Sequence, residues 1–206
     1  MTNGFGGTFD QLADYLPKVK AEDEEDSSDR ELTATRIFDA PRELVFKMWT
    51  EVGHVTKWWG PDGFRTTIQR MDVRPGGEWR FIMHGPDGRD YINHKVFKEI
   101  VPPERIVYDH VSGPPHRMTV LFAEKDGKTE ISVRMIFATA ELREAVIREF
   151  HASEGLKQTL NRLGDELAKL RNSPARRNPR SQRRDLGHPA FHAGWVACFV
   201  SNRSGL

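Results

Sequence analysis

The sequence predicts an α+β domain: a curved antiparallel sheet wrapped around a long C-terminal helix, with two short helices after the first strand. Three observations predict it. A short β-prone run is followed by two helical stripes, the first opened by Pro41 and the second stopped by Gly60-Pro61. Six alternating segments then succeed one another with short turns between them, the pattern of an antiparallel meander. Last comes an apolar stripe at helical spacing over about 140–170, with no partner for it but the sheet.

The elements follow in order. Leu32 to Phe38 reads as a strand. Asp39-Ala40-Pro41-Arg42-Glu43 reads as a helix start, since Pro suits the first turn, and Leu44, Val45, Met48 and Trp49 give the apolar stripe. A second short helix carries Val52, Val55 and Trp58 and ends at Trp59-Gly60-Pro61. The meander strands are predicted over 64–73, 78–84, 90–100, 105–111, 116–124 and 129–138. Their turn signals include Arg74-Pro75-Gly76-Gly77, Gly85-Pro86-Asp87-Gly88 and Lys125-Asp126-Gly127-Lys128. Leu142, Val146, Phe150, Ser153, Leu156, Leu160, Leu163, Leu167 and Leu170 then predict one continuous helix.

The chain has 206 residues, a net charge of +1 and one cysteine, Cys198. The near-zero charge hides an asymmetry. Residues 1–30 hold 3 basic and 8 acidic side chains, residues 171–206 hold 7 Arg and 1 Asp, and the middle carries 21 of each sign. The expected organisation is an acidic, largely disordered segment over 1–30, the folded domain over 31–170 and a basic, largely disordered tail over 171–206. A neutral domain argues against nucleic acid as the partner of the core. One cysteine rules out an intramolecular disulfide framework and any multi-cysteine metal site. No apolar run is long enough to span a membrane, and the first residues lack a secretory pattern, so the expected setting is cytoplasmic.

Strand parity selects an inner face. Trp79, Phe81 and Met83 alternate with Glu78, Arg80, Ile82 and His84; Met118, Val120 and Phe122 alternate with Arg117, Thr119 and Leu121. Such a face suits either a packed core or an apolar ligand pocket. Asn93 shares parity with Tyr91 and Phe97, so it is expected inward, where an amide can orient a ligand carbonyl or hydroxyl. Tyr108 and His110 share one strand face, and His116 has the parity of Met118 and Phe122. The candidate ligand-binding residues are therefore Trp79, Phe81, Met83, Asn93, Tyr108, His110, Met118, Val120 and Phe122. His110 and His116 are the candidates for acid–base work, because imidazole titrates near neutrality. Trp58-Trp59 is expected to plug one end of the domain. The histidines are scattered singly, without a metal-ligand spacing, and no phosphate-binding glycine loop or nucleophile elbow is present, so neither metal nor cofactor is expected.

Several segments resemble the START-like, or SRPBCC, superfamily, and within it the family homologous to the C-terminal domain of the activator of the heat-shock-protein-90 ATPase. They are residues 37–46, Lys57-Trp58-Trp59-Gly60-Pro61, residues 72–79, residues 83–88, Tyr91-Ile92-Asn93-His94, residues 99–106, Glu154-Gly155 and residues 158–163. The likeness covers about 140 residues in order and neither tail. It implies the helix-grip fold and a cavity between helix and sheet. Three functions follow as expectations: a module holding a small or medium hydrophobic ligand (lipid, polyketide or aromatic), a cyclase- or hydratase-like enzyme, and a chaperone-interaction module. The 30 residues before the match are fewer than the activator's separate N-terminal domain, which makes the chaperone reading the third.

Overall fold

The computed structural model describes residues 27–172; the expectations for the acidic segment before residue 27, the basic tail after residue 172 and Cys198 lie outside the described residues. A single helical turn, Ser28–Arg30, leads into β1 (Glu31–Phe38). Two short helices follow, α1 (Arg42–Thr50) and α2 (Val52–Trp58). The meander is β2 (Arg65–Met71), β3 (Glu78–His84), β4 (Asp90–Val101), β5 (Arg105–His110), β6 (His116–Lys125) and β7 (Lys128–Phe137). Two helices close the domain, α3 (Ala140–Phe150) and α4 (Ala152–Asn172).

All seven strands form one antiparallel sheet in the order β1-β7-β6-β5-β4-β3-β2. Consecutive meander strands are neighbours, and β1 returns to pair with β7. The β6–β7 hairpin turns on Asp126-Gly127, both at positive φ, 53° and 72°. That is the backbone a two-residue hairpin loop demands, and Asp and Gly supply it cheaply. Bulges between Ile68 and Arg70 on β2 and between Phe97 and Glu99 on β4 bend the sheet.

The core lies on the concave face. Phe81, Tyr108, Val120, Phe122, Ile131 and Phe137 from the strands are fully buried, with Val45 and Met48 from α1. The buried side of α4 is Thr159, Leu160, Leu163 and Leu167, a spacing of one, three and four residues. Each such buried aliphatic side chain contributes about 1.5–3 kcal/mol relative to exposure.

The single long helix expected over 140–170 is instead two. His151 takes left-handed backbone, φ 50° and ψ 40°, and separates α3 from α4. His tolerates that region better than most side chains, and Ser153 and Gly155 just beyond it are weak helix formers. The break lets α3 pack over the Ser28–Arg30 turn, β1 and β7, while α4 packs against β1 and α2. A straight helix could not serve both surfaces. Arg30 is drawn into this corner, where its guanidinium donates to the Phe137 carbonyl at 3.1 Å.

Candidate functional site

Between the sheet and the start of α4 lies a cavity of about 190 Å³. One rung of the sheet sets its chemistry. Trp79, Lys95, His110, His116 and Phe137 stand opposite one another in register across β3, β4, β5, β6 and β7. Opposed residues in adjacent antiparallel strands project to the same face, within about 5.5 Å of each other. Three basic side chains, Lys95, His110 and His116, thereby meet on the cavity wall. Met118 and Met135 adjoin them from β6 and β7, and Met83 and Asn93 from β3 and β4.

The opposite wall is helical. Leu156 and Thr159 of α4 face the sheet, and Phe150 and Ala152, on either side of the break, line the cavity; Phe150 is 56% exposed. Trp59, Gly60 and Pro61 complete the lining from the end of α2. Gly60 sits at φ 111°, a conformation reserved in practice for glycine. Arg162 of α4 holds this loop: one guanidinium nitrogen donates to the carbonyls of Gly60 at 2.8 Å, Pro61 at 2.7 Å and Phe64 at 3.1 Å. Through it the helix fixes where Trp59 stands.

Lys95 is the unexpected member. It is 4% exposed. Its ammonium nitrogen lies 4.1 Å from the Trp59 ring centroid, 4.4 Å from Tyr108, 4.7 Å from Trp79 and 5.4 Å from Phe81. It donates to the Tyr108 hydroxyl at 3.3 Å, and that hydroxyl donates to the Met118 sulfur. Two effects oppose each other here. Ring faces favour the ammonium, by about 2 kcal/mol or more when desolvated. Removing the charge from water costs several kcal/mol. Desolvation wins, so burial holds the Lys95 pKa well below its ordinary value and shifts the balance towards the neutral amine.

The two histidines pack edge to face, 4.8 Å between ring centroids. The Nδ1 of His116 lies 3.0 Å from the Pro114 carbonyl, which can only accept, so Nδ1 carries the proton and Nε2 is left with its lone pair. Burial, then the charge of Lys95, lowers the His116 pKa to about 4. His110 is driven well below its usual value by burial first, then by His116 and Lys95. Its Nδ1 is buried without a hydrogen-bond partner. Its Nε2 lies 3.2 Å from the Ser112 hydroxyl.

A pH dependence follows from His116. The unfolded chain takes up its proton near pH 6.5, and the folded chain only near pH 4. Stability is therefore complete above about pH 6.5 and falls as pH drops towards 4, where the folded state also protonates. The ring is half-buried on the cavity wall, which moderates the effect. Urea titrations of wild type and His116→Gln at pH 7.5 and 4.5 are expected to show a loss on acidification smaller in the variant, by on the order of 1–3 kcal/mol.

Of the residues expected from the sequence, Met83, Asn93, His110, His116 and Met118 line the cavity. Trp79, Phe81, Tyr108, Val120 and Phe122 point to the same face but are sealed in the core beneath it. Asn93 is inward, as its parity requires, and its side-chain amide donates to the Tyr91 carbonyl at 2.9 Å. Trp58 is a plug: fully buried, its indole N–H donates to the Met48 carbonyl at 2.9 Å. Trp59, read with it as part of the plug, instead lines the cavity. Lys95, Met135, Leu156 and Thr159 were not among the site residues expected. Lys95 had a signal, because it shares the parity of Asn93 and Phe97. Lysine, however, is almost never fully buried, and so reads as solvent-facing.

The family model described as activator of Hsp90 ATPase homolog 1-like protein matches residues 39–168. The chain belongs to this family. Solved structures agree in fold. A Nitrosomonas europaea protein is 22% identical, with a TM-score of 0.64 over 71% of this chain and 99% of that one. A Mycobacterium smegmatis protein is 25% identical, with a TM-score of 0.63 over 70% and 94%. The protein of Silicibacter pomeroyi described as AHSA1 is 19% identical, with a TM-score of 0.56 over 67% and 97%. No curated protein matches the sequence. The fold is thus the helix-grip arrangement of this family. Among the described residues no helix is long and apolar enough to cross a membrane, and no group of three or more His, Cys, Asp or Glu side chains is placed to hold a metal ion.

Proposed function

We propose that this domain binds a small, largely apolar molecule between its sheet and α4. The observation that carries the reading is the cavity of about 190 Å³, walled by Trp59, Met83, Met118, Met135 and Leu156 with a few polar groups among them. A few polar groups converging on an apolar pocket are what a binding site requires. Size narrows the ligand. An apolar cavity of roughly 150 Å³ holds benzene, whereas drug-sized ligands occupy about 300–1,000 Å³. The space favours a molecule of about one ring over a lipid or a polyketide.

The test is calorimetric titration of the full chain with benzyl alcohol, in wild type and in Leu156→Trp, which puts an indole into the cavity. Saturable binding weakened at least ~10-fold in the variant, a loss of about 1.4 kcal/mol, is expected. Equal binding by both proteins, or none by either, would contradict the reading.

One observation favours an enzymatic role for the same cavity: Asn93, Lys95, His110 and His116 converge on it, and neutral imidazoles can move protons at neutral pH. A cyclase- or hydratase-like reaction would use these groups. A chaperone partner rests on the family's description alone. Stimulation of a chaperone ATPase by the purified chain is the measurement that would raise it.

A further inference from the structure

The cavity wall carries a lysine without a counter-ion. Among the described residues no carboxylate forms an ion pair with Lys95, and no acidic side chain lines the cavity. Its hydrogen bond goes to a neutral phenol. Lys95, the Trp59 ring 4.1 Å from its nitrogen, and Met118, which accepts from that phenol, all line the same space. A lysine kept for structure would reach an acid or the solvent; this one reaches neither and ends against an apolar cavity.

We propose that Lys95 is a nucleophilic amine and that the cavity takes a small aromatic aldehyde or ketone, which Lys95 captures as an imine. This rests on the ligand-binding reading above and names its substrate class. Desolvation in an apolar pocket lowers a lysine's pKa and raises the share of its reactive neutral amine, and the depressed pKa of Lys95 agrees with the geometry. The nitrogen lone pair forms the N–C bond, and the carbonyl π pair moves to oxygen. A proton passes from nitrogen to that oxygen, giving the carbinolamine. The C–O bond then breaks, the oxygen leaves as water with a second proton from nitrogen, and the C=N bond forms. One amine and one carbonyl compound give one imine and one water, with no oxidant or reductant. His110 and His116, neutral and on the same rung, are the groups on this wall able to carry the proton. The walls suit one aromatic ring on the carbonyl carbon.

The test traps the imine. The full chain is incubated with benzaldehyde and cyanoborohydride at pH 6.5, and the N-benzyl adducts are located by peptide mapping. Lys47 and Lys128, both exposed, serve as the reference lysines. Labelling of Lys95 at least ~10-fold faster than of Lys47 and Lys128, and suppressed in Leu156→Trp, is the expected result. Labelling of Lys95 no faster than theirs would overturn the proposal. Benzyl alcohol, which fits the same space but has no carbonyl, separates the two ideas. If it binds saturably while Lys95 stays unlabelled, imine formation is wrong and the ligand-binding reading stands. If it does not bind and Lys95 is not labelled, both fall together.

Discussion

Replacing Asp109 with alanine is expected to destabilise the domain by about 3–5 kcal/mol. Asp109 lies on β5, on the face turned away from the helices, and is only 2% exposed. Arg117 stands opposite it on β6, itself 7% exposed. The pair is bidentate: Nε to Oδ1 at 2.8 Å and Nη2 to Oδ2 at 3.2 Å. Lys98, set beside it by the β4 bulge, is 3.4 Å from Oδ2. Alanine strips a buried guanidinium of its carboxylate, and desolvation that the pair had offset returns as a cost. The double replacement Asp109→Leu with Arg117→Met removes both charges, and is expected to recover most of the loss. Urea denaturation of the two variants reads this directly. A loss below about 1 kcal/mol in Asp109→Ala would mean that water reaches the pair.

Lys95→Met is expected to act in the opposite direction and stabilise the domain at pH 7, by about 1–4 kcal/mol. The folded-state pKa of Lys95 lies below its ordinary value of 10.5. Between the two values the unfolded chain holds a proton that the folded chain lacks. Stability therefore rises with pH through this window, and Lys95 costs stability on its neutral side. Methionine fills the same shape and removes the cost, so the gain should shrink as pH approaches 10.5. Denaturation at pH 7 and pH 10 checks both the sign and the trend. A loss at pH 7, or a gain independent of pH, would mean that the four rings hold the ammonium. A stabilising change at a cavity residue would fit a site that trades stability for function.

These two residues also mark where the sequence was hardest to read. Strands and turns were legible because Gly, Pro and alternation mark them: the meander appears with the expected hairpins, and Asp126-Gly127 turns where it should. Inward parity was legible too, for His110 and His116 as much as for Met118. Asp109 and Arg117 alternate with Tyr108 and Met118, so they read as solvent-facing. Only the register, which sets the acid opposite the base, turns that face into a buried pair. Lys95 needed the same knowledge, since its three aromatic strand neighbours come from β3 and β5 and Trp59 from the end of α2. The break at His151 was hidden because the leucine stripe runs through it without changing period. The need to cover two surfaces, the β1–β7 corner and the cavity, is a tertiary constraint that no local pattern carries.

The most direct test of a ligand site between sheet and helix uses the methionine methyls. Met83, Met118 and Met135 line the cavity, whereas Met48 is fully buried elsewhere in the core. With 13C-methyl methionine in the full chain, benzyl alcohol is expected to shift the resonances of the three lining residues along one saturable curve and leave Met48 unmoved. Shifts spread over all methionines, or confined to those outside the cavity, would contradict the account.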